Sequence, residues 1–362
     1  MTRAPLLFVS IIALLPIACE GGGGLPPEVE IRSQAGQLTY GGELDIDAPL
    51  NRLVDEKTTA SLLALRTSMR KPMMRLYELL KGPDVVRINS KTLASLQEPF
   101  GVGTKMPRPE LVEALRLAGF HAVNLGTRGL ALAGEADATT TVQLLRDVGI
   151  APVGTVDENG VPSAYQTRIG ESKVSIFGFS FVDRAPGNKM ISAFMMDQVE
   201  AAVAAAKKAA ADAETRGELS FAVVGWLEKQ DSAARRKIAH ALIDEAGVNV
   251  VLGHAPGDFG GIEKHGRGVI VYNPGLLLSC DVKQDELKQA FVYRIHLDAG
   301  AVSWIEAQPI ELHRRSSNIG MGTANTYGPV DKLVAQSEKL GTKMVDEFGR
   351  GILDLSVPAT QK

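Results

Sequence analysis

Two short β-branched runs on either side of a glycine-rich loop constrain this chain more than any other feature. They read VNVVLGHAPGDFGGIEKHGRGVIVYNPG over residues 248–275. The first run, Val248, Val250, Val251 and Leu252, lies between Gly247 and Gly253. A run this short, apolar throughout and bounded by glycine, predicts a strand buried on both faces of a parallel sheet. It stops at Gly253-His254, so His254 sits just past the carboxyl end of that strand. In open α/β sheets this edge is where ligands bind. His254 is therefore either an ordinary histidine of a turn or a site residue, and the other strand ends decide between the two.

Comparable runs recur and alternate with helical spacing. Strands are predicted over 37–46 (QLTYGGELDI, broken by Gly41-Gly42), 84–89, 122–125, 173–179 (of alternating type) and 219–224. Helices are predicted within 48–81, with Pro72 dividing them, and over 109–118, 136–147, 192–216, 232–245 and 329–340. Glycine follows most of these helices, as expected of a C-terminal stop. Strands alternating with helices of this length argue for an α/β fold. Asp298-Ala299-Gly300 between two apolar runs is a hairpin signal, so the sheets should be mixed rather than purely parallel.

The amino terminus reads as an export signal. Arg3 precedes an apolar core at 6–15 that is too short to span a bilayer. Pro16-Ile17-Ala18-Cys19 is similar to a bacterial lipobox, although Pro16 stands where an aliphatic residue is usual. Cleavage there would leave Cys19 acylated, followed by a flexible tether over 20–36; an ordinary secretory signal is the alternative. Either way the folded part is expected outside the cytoplasm, and with lipidation in the cell envelope. The domain is expected over 37–345 and a tail over 346–362, poorly ordered after Gly351. If Cys19 is lipidated, Cys280 has no partner and no disulfide framework forms. The net charge of −3 and the absence of a basic stripe exclude nucleic acid as the main partner.

Laid in order, the strand ends resemble the bacterial capsule-synthesis CapA family, related to poly-gamma-glutamate synthesis. The resemblance runs from about Gln37 to Gly341. It is carried by LRLAGFHAVNLGTRG at 115–129, LLRDVGIAPVG at 144–154, KVSIFGFS at 173–180, LSFAVVGWLEK at 219–229 and ALIDEAGVNVVLGHAPGDFGGIEKHGRGVIVYNPG at 241–275. It implies a calcineurin-like metallophosphatase fold: a layered α/β sandwich of mixed sheets flanked by helices.

The same resemblance implies metal ligands that this chain mostly lacks. Glu43 stands where the family has Asp, and Asn89-Ser90 where it has Asn-Leu-Glu. Thr127-Arg128-Gly129 replaces Asn-Asn-His, and Gly225-Trp226 replaces His-Trp. Of Gly-His-His-Pro-His, Gly253, His254 and Pro256 remain, with Ala255 and Gly257 in the other places. Two metals sharing one site need several converging carboxylate, amide and imidazole ligands. Glu43, Asn89 and His254 are the only candidates at matching positions; Asp258, Glu263 and His265 in the following loop are possible replacements. His121, His240, His296 and His313 read as structural or surface histidines. Arg128 is a permanent cation that would balance charge in place of a metal and attract a phosphate or carboxylate.

The expected ligand cleft therefore comprises Glu43, Asn89, Arg128, Trp226 and His254. Three readings follow. One is an envelope-anchored relative of the family without an intact dinuclear site, associated with capsule or anionic-polymer (poly-gamma-glutamate-like) synthesis or export, binding a small anionic ligand, an anionic polymer or a polymer-export partner and needing no cofactor. The second is an active hydrolase with a reduced site, using Mn²⁺ or Zn²⁺. The third is a structural lipoprotein.

Overall fold

The computed structural model describes residues 36–45, 86–90, 121–227, 230–255, 257–279, 287–315, 318–323 and 328–356. The expected signal, tether, Cys19 and Cys280, and the helices predicted within 48–81 and 109–118, lie outside the described residues. In chain order the elements are β1 (Gly36–Asp45), β2 (Val86–Ser90), β3 (Ala122–Asn124), α1 (Arg128–Leu132), α2 (Glu135–Asp147), β4 (Ala151–Val153) and β5 (Tyr165–Ile169). Then come β6 (Ser172–Val182), β7 (Ala193–Met195), α3 (Val199–Thr215), β8 (Leu219–Gly225), α4 (Ser232–Asp244), β9 (Val250–His254), β10 (Ile262–His265) and β11 (Gly268–Val271). The last are β12 (Leu276–Ser279), β13 (Leu287–Asp298), β14 (Ala301–Arg315), β15 (Asn318–Thr323), α5 (Gly328–Lys339), β16 (Val345–Glu347) and β17 (Arg350–Asp354).

The strands form two mixed sheets. The first runs β16-β17-β14-β13-β1-β2-β3-β4, with β12 added to β1 and β15 to β14. The second runs β10-β11-β9-β8-β6-β5, with β7 added to β6. Side chains alternate faces along a strand, and the two faces of the second sheet enter different cores. Val174, Ile176, Phe221, Val223, Val250 and Leu252 meet Leu38, Tyr40, Phe291 and Tyr293 of the first sheet. Phe177, Phe179, Ala222, Val224 and Val251 meet Ala202, Ala206, Ile238 and Leu242 of α3 and α4. The result is a layered α/β sandwich with helices outside the second sheet. Among the described residues no helix is long and apolar enough to cross a membrane.

Local chemistry accounts for the element boundaries. Asp231 caps α4 by accepting from the Ala234 N–H at 2.7 Å. Gly149, Gly217 and Gly247 follow α2, α3 and α4 with φ of 77°, 68° and 79°, the left-handed turn that ends a helix. Ala299 and Gly300, at φ 48° and 78°, form the two-residue turn between β13 and β14, the primed geometry that suits strand twist.

Four expectations need correction. Gly41-Gly42 does not break the first strand; pairing with β2 shifts register between Tyr40 and Glu43 and β1 continues. The strand predicted over 173–179 is not of alternating type, because sheet two is covered on both sides and β6 is buried nearly throughout. The helix predicted from 192 begins at Val199. Before it, β7 pairs in parallel with the end of β6, and Phe194 packs edge-on against Phe179 at 5.6 Å. Finally, the expected tail from 346 is sheet: β17 pairs with β14, and Leu353 is buried in the core between the sheets.

Candidate functional site

Two rows of residues meet where the parallel strands end. In the first sheet Glu43 is in register with Asn89, and Asn89 with Asn124. In the second Ser180 is in register with Gly225, and Gly225 with His254. Glu43, Asn89 and His254 therefore stand at one end of the sandwich. Period two puts His254 on the same face as Val250 and Leu252, which is the face turned toward the first sheet. Asn124 likewise shares the inward face of Ala122.

The two inward side chains join the sheets. Asn124 Nδ2 lies 3.1 Å from His254 Nε2, and both residues are buried. The Gly126 N–H donates to Asn124 Oδ1 at 3.1 Å, while Asn124 Nδ2 faces the Gly126 carbonyl at 3.3 Å. That pair fixes the amide orientation, because turning it would set N–H against N–H. Asn124 Nδ2 can then only donate, so His254 Nε2 accepts and the ring proton sits on Nδ1. Burial lowers the His254 pKa to about 3, so the ring is neutral at physiological pH.

Glycine backbone fills the space around this pair. A Cβ at Gly178 would lie 2.2 Å from Asn124 Oδ1, and one at Gly154 2.5 Å from the same atom. A Cβ at Gly225 would lie 2.8 Å from His254 Cε1 and 2.8 Å from Ser180 Cβ. The position where the resemblance implies a histidine thus has no room for any side chain while His254 stands where it does.

The other expected site residues sit differently. Trp226 is buried, donates Nε1–H to the Tyr272 carbonyl at 3.0 Å and stacks on Phe181 at 6.3 Å. It packs with the core beneath α3 and α4 rather than lining an open cleft. Arg128 opens α1 and pairs with Asp183 in a two-pronged contact, Nε–Oδ1 2.9 Å and Nη2–Oδ2 2.8 Å. Both partners are about half exposed, at 49% and 52%. The Arg128 hydrogen bonds hold the Asp183 carboxyl below its usual range. Thr127 caps α1, its Oγ1 accepting from the Leu130 N–H at 3.3 Å. Asp258 is exposed, while Glu263 and His265 belong to β10 and do not approach His254.

A dinuclear metal centre needs several convergent donors; among the described side chains of this end, the His254 Nε2 lone pair is engaged by Asn124. Asn124 escaped the sequence reading, although its inward phase in the run AVN was a usable signal. His240 also escaped it: α4 brings it beside Glu263 and His265, a grouping that residue spacing does not reveal.

The family model for bacterial capsule synthesis protein PGA_cap matches residues 35–279 of this chain. Among solved structures, the chain is similar to one described as a novel phosphatase from Mycoplasma pneumoniae, at 11% identity and a TM-score of 0.46, over 76% of this chain and 94% of that one. A second solved structure is similar at 10% identity and a TM-score of 0.37, over 80% of this chain and 99% of that one. No match is found among curated protein sequences.

Proposed function

We propose, from the premise that this chain belongs to the bacterial capsule synthesis protein family, that it is a non-hydrolytic, envelope-anchored member. Its fold is then the layered, metallophosphatase-like sandwich that the family resemblance implied. In this reading it handles a capsule polymer or another polyanion by binding it. The observation that carries the proposal is the buried Asn124–His254 hydrogen bond, closed in by Gly154, Gly178 and Gly225. A site of that kind is a neutral core contact between two sheets, and His254 leaves the set of ligand contacts. Arg128 stays in it as the half-exposed cation of the strand-end loops, where a ligand carboxylate or phosphate would compete with Asp183. The polyanion reading accords with the family's description, and the anchor with the sequence around Cys19.

The test is made on the purified full-length chain with added Mn²⁺ and a generic phosphoester, alongside retention on immobilised poly-gamma-glutamate. No turnover above the metal-only blank is expected, with polymer retention that weakens in Arg128→Ala. Cys19→Ser is expected to release the protein from membrane fractions. The reduced hydrolase stays as a second reading because the register brings Glu43, Asn89 and His254 to one end. Turnover abolished by His254→Gln would establish that reading instead.

A further inference from the structure

A second group of titratable side chains lies away from the strand ends. β10 runs antiparallel to β11, and β11 parallel to β9, so His265 lies toward the amino end of β9, opposite His254. There α4 lays His240 over Glu263 and His265. Their ligand atoms all fall within 4.8 Å of one another. His240 Nε2 is 3.0 Å from Glu263 Oε1, and His265 Nε2 is 2.8 Å from Asp244 Oδ2. The two imidazoles stack at 3.6 Å. They are about a quarter exposed, at 26% and 24%, whereas Glu263 beneath them is 3% exposed.

We propose that His240, Glu263 and His265 form a site for a borderline divalent metal ion such as Zn²⁺, with two imidazoles, one carboxylate and an open fourth position. The residue types suit such an ion, which takes nitrogen and oxygen ligands and favours imidazole. The carboxylate is held from behind: the Tyr272 hydroxyl donates to Glu263 Oε2 at 2.6 Å, and Arg236 Nη2 donates to Oε1 at 2.7 Å. Outer partners of this kind orient a ligand before the metal arrives. Burial pushes the Glu263 pKa up, but the bonds from Arg236, Tyr272 and His240 outweigh it and leave the carboxyl below its usual range. Glu263 is therefore ionised and ready to ligate at neutral pH.

Two features set the strength of the site. Tetrahedral ligands at zinc distances sit about 3.3 Å apart, so the group must contract. Parallel stacked rings also cannot both aim their lone pairs at one ion. One ring must turn about χ2, which the part-exposed His265 is free to do by leaving Asp244. Arg236 opposes the incoming charge, but Glu263 and Asp244 together leave the cluster net negative.

The experiment is calorimetric titration of the full-length chain with Zn²⁺, followed by Co²⁺ substitution read by its visible absorption. A single Zn²⁺ per chain is expected, with affinity falling at least about tenfold in His265→Ala and in Glu263→Gln. The Co²⁺ spectrum should show nitrogen and oxygen ligation and should be lost in both variants. Melting curves of the variants without metal confirm that they fold, and His240→Ala serves if one does not. The proposal fails if no saturable Zn²⁺ binding occurs, or if the variants bind as the parent does. A metal at the strand ends would be untouched by these substitutions, so the outcome is independent of the reading above.

Discussion

The neutral, buried His254 makes a quantitative prediction about acid stability. Its pKa falls from 6.5 to about 3 on folding, because burial disfavours the charged ring. Between those values the unfolded chain binds a proton that the folded chain does not, so stability falls as pH drops below about 6.5. The contribution is fully present above the unfolded pKa and is lost through the window down to about 3. From pH 7.5 to pH 5 the linkage relation gives a loss of about 2 kcal/mol from this one ring. His254→Gln removes the titration and keeps an acceptor: a glutamine Oε1 reaches where Nε2 sits and takes the Asn124 Nδ2–H. The assay is the difference in melting temperature between parent and variant at the two pH values. At about 2.1 cal/mol/K per residue over a domain of this size, the parent should lose roughly 3 °C more than the variant. His296 also has a lowered pKa, about 4, but it is present in both proteins and cancels in the difference. Equal pH slopes for the two proteins would refute the assignment of a buried, neutral His254.

Three shorter predictions follow from the packing. Gly225→Ala drives a Cβ to 2.8 Å from His254 Cε1 and 3.0 Å from the Gly126 carbonyl; overpacking of this kind costs roughly 1–3 kcal/mol, readable as a lowered urea midpoint with unchanged slope. Glu306→Gln weakens the contacts of a buried carboxylate with Arg294 at 2.7 Å and Arg350 at 3.0 Å. Since both arginines keep some solvent, about 1–3 kcal/mol is expected, with faster proteolysis near β17 than in the parent. Arg128→Ala should leave the melting temperature unchanged, because the Arg128–Asp183 pair is half exposed.

How much of this was legible follows from what a local pattern can carry. The strand and helix alternation, the hairpin at Asp298-Ala299-Gly300 and the glycines after α2, α3 and α4 are local features, and all appear in the fold. The order of the strand ends was also legible, through Glu43, Asn89 and His254 falling at one end. What failed depends on partners distant in sequence. β17 is five residues in a stretch without strong periodicity, and it is a strand because β14 offers an edge. β7 lies within alanine-rich helical spacing, but Phe194 finds Phe179 across the sheet. Trp226 carries an apolar body and one donor; nothing local indicates that the Tyr272 carbonyl, rather than a ligand, receives it. His240 and His265 are separated by a helix end, a strand and a loop, and only the docking of α4 on β10 stacks them.

The changes at the strand ends support one another. Where the resemblance implies Asn-Asn-His, Thr127 now caps a short helix and Arg128 engages Asp183. Where it implies His-Trp, Gly225 admits the His254 ring against its backbone, and Trp226 keeps only a structural hydrogen bond. In the place of the last histidine, Gly257 adopts φ 106°, a conformation that costs any other side chain strain. Ala255, in the place of the second, has its N–H held by Asn273 Oδ1 at 3.3 Å. Each vacated position serves the backbone or the packing, and His254 is held by them through Asn124. Restoring one histidine would therefore not restore a ligand. Gly225→His would collide with His254 before either ring could turn toward an ion, and a side chain at 257 would work against its own backbone. In the proposed reading, holding an ion here would require Asn124 to release His254 and several positions to change together. That interdependence is the ground on which the reading of a core contact, rather than a metal centre short of one ligand, is proposed.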